Sequence, residues 1–115
     1  MTERHYVNDY VKISYDNAVA KGWHESERSI GDLIALMHSE LSEALEEYRN
    51  GHDATEIYFN PEKPEKPEGI PIELADCVIR IFDFCGKYDI DLEQALNQKI
   101  IYNKSRPHRH GGKKV

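Results

Sequence analysis

Glu40, Glu43 and Glu47 recur at spacings of three and four in this chain, and Glu73 and Asp76 stand three apart, with Asp83 seven residues beyond. Residues three and four apart share a helix face, their Cβ atoms roughly 5–6 Å from one another, so each set forms an acidic stripe if its segment is helical. The second set interrupts a segment otherwise made of Ile72, Leu74, Ala75, Cys77, Val78, Ile79, Ile81, Phe82 and Phe84, where a charge is rarely placed without a partner. If the two segments pair as an antiparallel helical hairpin, Glu40, Glu43, Glu73 and Asp76 surround one volume. Two like charges about 4 Å apart repel by about 4 kcal/mol at an effective dielectric of about 20, and several such pairs would threaten a marginal fold. Arg80 is the only basic residue within either acidic segment, so internal salt bridges are a poor remedy, whereas protonation or a divalent ion removes the repulsion. Hard oxygen ligands select Mg2+, with Mn2+ as a substitute. A di-iron carboxylate bundle would use Glu-x-x-His, and no histidine here follows a glutamate by three. Glu40, Glu43 and Glu47 taken alone read as a solvated helix face; the two sets together point to metal.

Four helical segments have to position these residues. Within residues 5–21, Val7, Tyr10, Val11, Ser14, Ala18 and Lys21 fall on one side at helical spacing, and Gly22 supplies a left-handed stop. Ile30, Leu33, Ile34, Met37, Leu41, Ala44, Leu45 and Tyr48 repeat at three and four after Ser29, an N-cap with Asp32 at the third position, and Asn50-Gly51 ends the run. The stretch 51–70, with Pro61, Pro64 and Pro67, cannot sustain a helix and predicts a loop, either a functional lid or an unstructured connection. No alternating strand pattern stands out, and Ile57-Tyr58-Phe59 reads as loop or helix extension. Pro71 suits the first turn of a third, largely buried helix over 72–85, with Gly86 as its C-cap. Asp91 with Gln94 resembles a capping box that opens a fourth helix through Leu92, Ala95, Leu96, Lys99, Ile100 and Asn103 until Pro107 forbids continuation.

The expected fold is therefore all-α: one domain over residues 1–115, a four-helix bundle-like protomer completed by oligomerisation. A chain of 115 residues, 39% apolar, with a mean hydropathy of −0.72, buries a modest core and gains apolar area by self-association. No run reaches the roughly 20 apolar residues that span a bilayer, and Met1–Asn8 lacks a basic region followed by an apolar one, so a cytoplasmic protein without membrane contact is expected. Cys77 and Cys85 lack Cys-x-x-Cys spacing and read as reduced core residues. Net charge is −6, but residues 99–115 carry +6 without an acid and residues 1–98 carry −12. An acidic body repels phosphates unless cations intervene, which favours a small anionic ligand bridged by metal over nucleic acid.

At these residues the chain resembles the MazG-like all-α nucleoside triphosphate pyrophosphohydrolases, whose signature is Glu-x-x-Glu on one helix and Glu-x-x-Asp on the next. Here these are Glu40-Leu-Ser-Glu43 and Glu73-Leu-Ala-Asp76, and the resemblance continues in Asp91-Leu92-Glu-Gln-Ala95, in Lys99 with Asn103, and in Arg106-Pro107. It covers roughly residues 30–49 and 72–107. The resemblance implies a magnesium-dependent enzyme that cleaves (d)NTP to (d)NMP and pyrophosphate in nucleotide-pool house-cleaning. Glu40, Glu43, Glu73 and Asp76 would be its metal ligands and would act catalytically through an activated water. Lys99, Asn103 and Arg106 would bind phosphates, and Trp23, the only tryptophan, would stack on the base. Several family members carry a second glutamate before the first motif acid, where this chain has Ser39, so the resemblance supplies no general base at that position.

Other readings remain beside these. Trp23 equally fits a core or interface aromatic, and Lys99 and Asn103 an ordinary exposed helix end. The tail Arg109-His-Gly-Gly-Lys113-Lys114 either closes over phosphates or stays solvated, and His108 and His110 have no nearby third ligand. At the level of function, the alternatives are a non-catalytic helical oligomer whose basic tail binds phosphates or nucleic acid, and a nucleotide sensor with negligible turnover.

Overall fold

A computed structural model describes residues 6–107; the basic tail from His108 onward and its glycines, lysines and histidines lie outside the described residues. The chain forms four helices, α1 (Val7–Ala20), α2 (Ile30–Arg49), α3 (Ile70–Lys87) and α4 (Leu92–Ser105), with a two-stranded ribbon, β1 (Tyr58–Asn60) and β2 (Lys63–Glu68), between α2 and α3. Among the described residues, no helix is long and apolar enough to cross a membrane.

The expected helix starts are built largely as their sequences suggest. Ser29 accepts a hydrogen bond from the Asp32 N–H, and Asp32 caps the Ser29 N–H in return. Asp91 accepts from the Gln94 N–H, so α4 has the forward half of a capping box. Three helices end in one device, in which the residue after a left-handed position donates back five residues. Trp23 N donates to Ala18 O after Gly22, His52 N to Glu47 O after Gly51, and Ile90 N to Cys85 O after Asp89. The motif aims the residue that follows each helix: Trp23 over α3 and His52 against the ribbon.

Gly86 is not the stop expected for α3. The helix runs on to Lys87, and the left-handed position falls to Asp89 at φ 58°. Gly86 serves close packing instead: a Cβ there would collide with the Tyr15 Cβ and come within 2.8 Å of its Cγ. The second correction concerns 51–70, which holds an antiparallel ribbon pairing Tyr58 with Glu68 and Phe59 with Pro67, with a register irregularity before Asn60. Prolines fit because both strands of a two-stranded sheet are edges, where a missing N–H faces solvent. The ribbon is fastened to the end of α2: Tyr58 Oη donates to both Glu47 oxygens at 2.9 and 2.8 Å, and the His52 ring stacks on Tyr58 at 4.3 Å. Gly69, at φ 122°, passes so close to Glu56 O that no side chain fits.

Helix α3 is the centre, with α2 along one side and α1 along another. Cys77 Sγ meets Met37 O at 3.5 Å, and Tyr10 stacks on Phe82 at 5.9 Å; both neighbours run antiparallel to α3. Helix α4 packs against α1, tied by Asn8 Nδ2 donating to Asp91 Oδ1 at 2.9 Å and Glu93 N to Asn8 Oδ1 at 3.2 Å. Among the described residues, Val11, Ala18, Ala44, Cys77 and Cys85 are the buried apolar ones, and no large side chain is fully buried. Both thiols are free, as expected.

Opposite signs are expected for two substitutions near the end of α3. Gly86→Ala should destabilise the protein by about 1–3 kcal/mol through overpacking, whereas Asp89→Gly should stabilise it by about 0.5 kcal/mol by relieving the left-handed residue. Urea unfolding midpoints measure both; a harmless Gly86→Ala would contradict the close α1–α3 approach.

Candidate metal centre

Glu73, Asp76, Arg80 and Asp83 lie at steps of three, four and three along α3, a polar stripe through an apolar helix. Each member meets a definite group. The carboxylates of Glu40, Glu73 and Asp76 approach one another, with one oxygen from each lying within 4.8 Å of the others. The antiparallel course of α2 and α3 thus converges these two edges, with Glu40 and Glu73 half-buried.

The crowding raises the acids' proton affinity. Burial, then Asp76, Glu40 and Glu43, push the Glu73 carboxyl up to about 7 from its ordinary 4.5, with a hydrogen bond to Glu40 adding to the effect. Asp76 is also raised, first by burial and then by Glu40, while Arg80 and Lys66 pull it back. Glu43 is exposed and stands outside the tight triad, near enough to act on Glu73 through space. A carboxylate cluster that resists its own ionisation, with only hard oxygen donors, fits Mg2+ or Mn2+.

Internal salt bridges were expected to be a poor remedy for the crowding, and Arg80 supplies one. Its Nε donates to Glu40 Oε1 at 2.8 Å, and its guanidinium carbon lies 5.3 Å from the centre of the Trp23 ring. Trp23 is therefore brought to the edge of the acidic cluster, 49% exposed. Glu47 and Asp83, which share the two acidic stripes, are drawn elsewhere: Glu47 holds Tyr58, and His24 Nε2 donates to Asp83 Oδ1 at 2.7 Å with both side chains 15% exposed. The hydroxyl of Ser39 donates to Leu36 O at 2.6 Å, so it is engaged with its own helix and offers no base.

Lys99, Asn103 and Arg106 are not brought to the carboxylates in this structure. Their helix starts beyond the end of α3 remote from Glu73 and packs on α1, and Lys99 and Arg106 lie over the ring of Tyr102 on the same segment, at 4.9 and 5.5 Å. Arg80, Lys66 and His24 were missed by sequence reasoning. Arg80 was legible as the third member of the α3 polar stripe; Lys66 depended on an unrecognised ribbon, and His24 on the chain's course after Gly22. Comparison with family models, curated proteins and solved structures finds no match for this chain.

The pH dependence has a definite sign. Between its ordinary 4.5 and about 7, folded Glu73 holds a proton that the unfolded chain has released, so this contribution to stability is complete below the lower value and lost as pH passes the higher. Metal-free protein in chelator should melt at lower temperature at pH 8 than at pH 5. Glu73→Gln should flatten that slope and stabilise the protein at pH 8 by about 1 kcal/mol after solvent screening. A thermal midpoint that rises with pH across this window, or is unchanged by the substitution, would refute the crowded-carboxylate account.

Proposed function

We propose that this protein is a divalent-metal-dependent nucleoside triphosphate pyrophosphohydrolase of the MazG-like all-α kind, cleaving (d)NTP to (d)NMP and pyrophosphate and acting as a homo-oligomer. The observation that carries the reading is the triad of Glu40, Glu73 and Asp76, the first two half-buried, with one carboxylate oxygen of each within 4.8 Å of the others across two helices. Glu40, Glu73 and Asp76 would hold the ion, with Glu43 completing the set from the exposed side. When bound, magnesium supplies positive charge for the triphosphate oxygens and lowers the pKa of a water. The carboxylates fix the position of that charge, so little reorganisation is left for the moment of reaction. Trp23, exposed at the edge of the cluster, supplies an aromatic face for the base.

Self-association completes this reading. On α4, Ile100, Ile101 and Tyr102 are 50%, 69% and 55% exposed, a poor arrangement for an isolated helix, whose stability rests on packing an apolar face. A second copy that covers this face closes the bundle and supplies the route by which Lys99, Asn103 and Arg106 meet phosphates at a carboxylate cluster. The Arg80–Glu40 pair favours a second reading, a non-catalytic helical oligomer in which the acids are neutralised within the protein, and catalysis separates the two.

Incubated with each ribo- and deoxyribonucleoside triphosphate and Mg2+, the protein should release pyrophosphate and monophosphate from at least one. Chelator should abolish this and Mn2+ restore it. Glu40→Gln, Glu73→Gln and Asp76→Asn should each lower turnover by more than about a hundredfold, since loss of groups that merely support ligands already costs about 10–100-fold. Glu43→Gln should cost about tenfold at the low end of the same range. Absence of turnover with every triphosphate, in protein shown to be folded, would overturn the enzymatic reading. Sedimentation should show a dimer or tetramer, and Ile101→Asp should shift it toward monomer.

A further inference from the structure

The placement of Arg80 calls for a role beyond neutralisation. An arginine that serves only as a counter-ion commonly presents its fork to a carboxylate through two parallel bonds. Arg80 makes one bond, from Nε to Glu40 Oε1, and the described residues give neither terminal nitrogen a partner. Those nitrogens belong to a side chain lining an open groove of about 320 Å³, shared with Trp23, Ser26 and Arg28. Arg28 is exposed and has no ion-pair partner among the described residues. Two guanidinium groups and a hydroxyl beside an aromatic face make an anion-binding lining, set against a cluster that is itself acidic.

Resting on the metal-dependent reading above, we infer that Arg80 is a substrate-binding residue that Glu40 holds in reserve: with Glu40 committed to a divalent ion, the guanidinium would be released to take a phosphate oxygen of the nucleotide, with Arg28 lining the same groove. The physical reason is competition. An ion and the Nε–H would draw on the same Glu40 carboxylate, and the two positive groups repel unless an anion lies between them. A nucleoside triphosphate supplies that anion. The face of Trp23 keeps the freed guanidinium at the site, since a cation above an indole ring is favoured without a formal bond. No bond is made or broken in this exchange; one salt bridge is replaced by another.

The test separates Arg80's role from the metal reading by measuring two affinities in wild type, Arg80→Gln and Arg80→Lys, with folding checked by circular dichroism. Mn2+ alone is titrated and followed by electron paramagnetic resonance; then a non-hydrolysable α,β-methylene triphosphate is titrated at saturating Mn2+. Arg80→Gln should bind Mn2+ alone several-fold more tightly, because its competitor for Glu40 is gone. It should bind the triphosphate about tenfold to a hundredfold more weakly, the loss expected for a charge-assisted hydrogen bond. Arg80→Lys, which keeps the charge without the fork, should fall between, and it carries the test if the glutamine variant does not fold. Arg80→Gln that binds the triphosphate like wild type, or binds Mn2+ more weakly while folded, makes Arg80 a structural strut and overturns the inference while leaving the metal reading standing. Wild type that takes up no Mn2+, with or without nucleotide, overturns both.

Discussion

The organising constraint in this molecule is the confinement of like charge at the α2–α3 seam. Glu40, Glu73 and Asp76 are close enough that each raises the cost of ionising its neighbours, and burial raises it further. Protein groups relieve this in part: Arg80 bonds Glu40 directly, and Lys66 acts on Asp76 through space. Both cations come from places with other attachments, the middle of α3 and a ribbon pinned to Glu47. The seam therefore sets what the surrounding elements must do. The ribbon has to be held by Tyr58 and His52, and the chain leaving α1 has to turn sharply at Gly22 so that Trp23 reaches Arg80.

The polar stripe on α3 shows how one helix combines apolar packing with a line of charged groups. Its apolar sides receive α1 and α2, while the stripe passes from carboxylates at Glu73 and Asp76, through a cation at Arg80, to Asp83 held by His24. Charge alternates in type as the stripe leaves the acidic cluster, so the field falls away along the helix instead of accumulating. The His24–Asp83 pair also ties the segment after α1 to α3, which steadies the neighbouring Trp23. A substitution anywhere on the stripe is then felt at the cluster even when it removes no carboxylate.

Much of this was legible in the sequence where local rules and tertiary packing agree. The apolar periodicity of Ile30 to Tyr48, the Ser29–Asp32 cap and the Asn50-Gly51 stop placed α2, and the acids inside the apolar segment after Pro71 pointed to α3 as the helix that bears the clustered carboxylates. The reading failed where a residue's role depends on a partner far away in the chain. Gly86 looked like a stop because glycine favours left-handed backbone, but what selects it is the Tyr15 side chain, and Asp89 takes the stop. Pro61, Pro64 and Pro67 suggested an irregular loop because strand propensity says nothing about edges. Arg80 was counted as too few a cation for too many acids, which is arithmetically right; its geometry, one bond to Glu40 with Trp23 beneath, depends on partners from α2 and from the turn after α1.

The same dependence on distant partners bears on α4. Its sequence has the caps and spacing of a sound helix, but among the described residues it packs chiefly on α1, and Leu96, Ile100, Ile101 and Tyr102 are all more than a third exposed. A helix of 14 residues is marginal in water on its own propensity, because nucleation is costly and tertiary contact supplies most helical stability. The Asn8–Asp91 and Asn8–Glu93 hydrogen bonds fix where α4 begins and leave its far end to other contacts. Its cations belong to the one segment of the chain whose net charge is positive, while the body around the carboxylates is acidic. Apolar exposure and opposite charge thus occur on the same projecting element. Under the proposed function, a second copy of the acidic body would satisfy both at once, so that self-association and the assembly of a phosphate site would be a single physical problem.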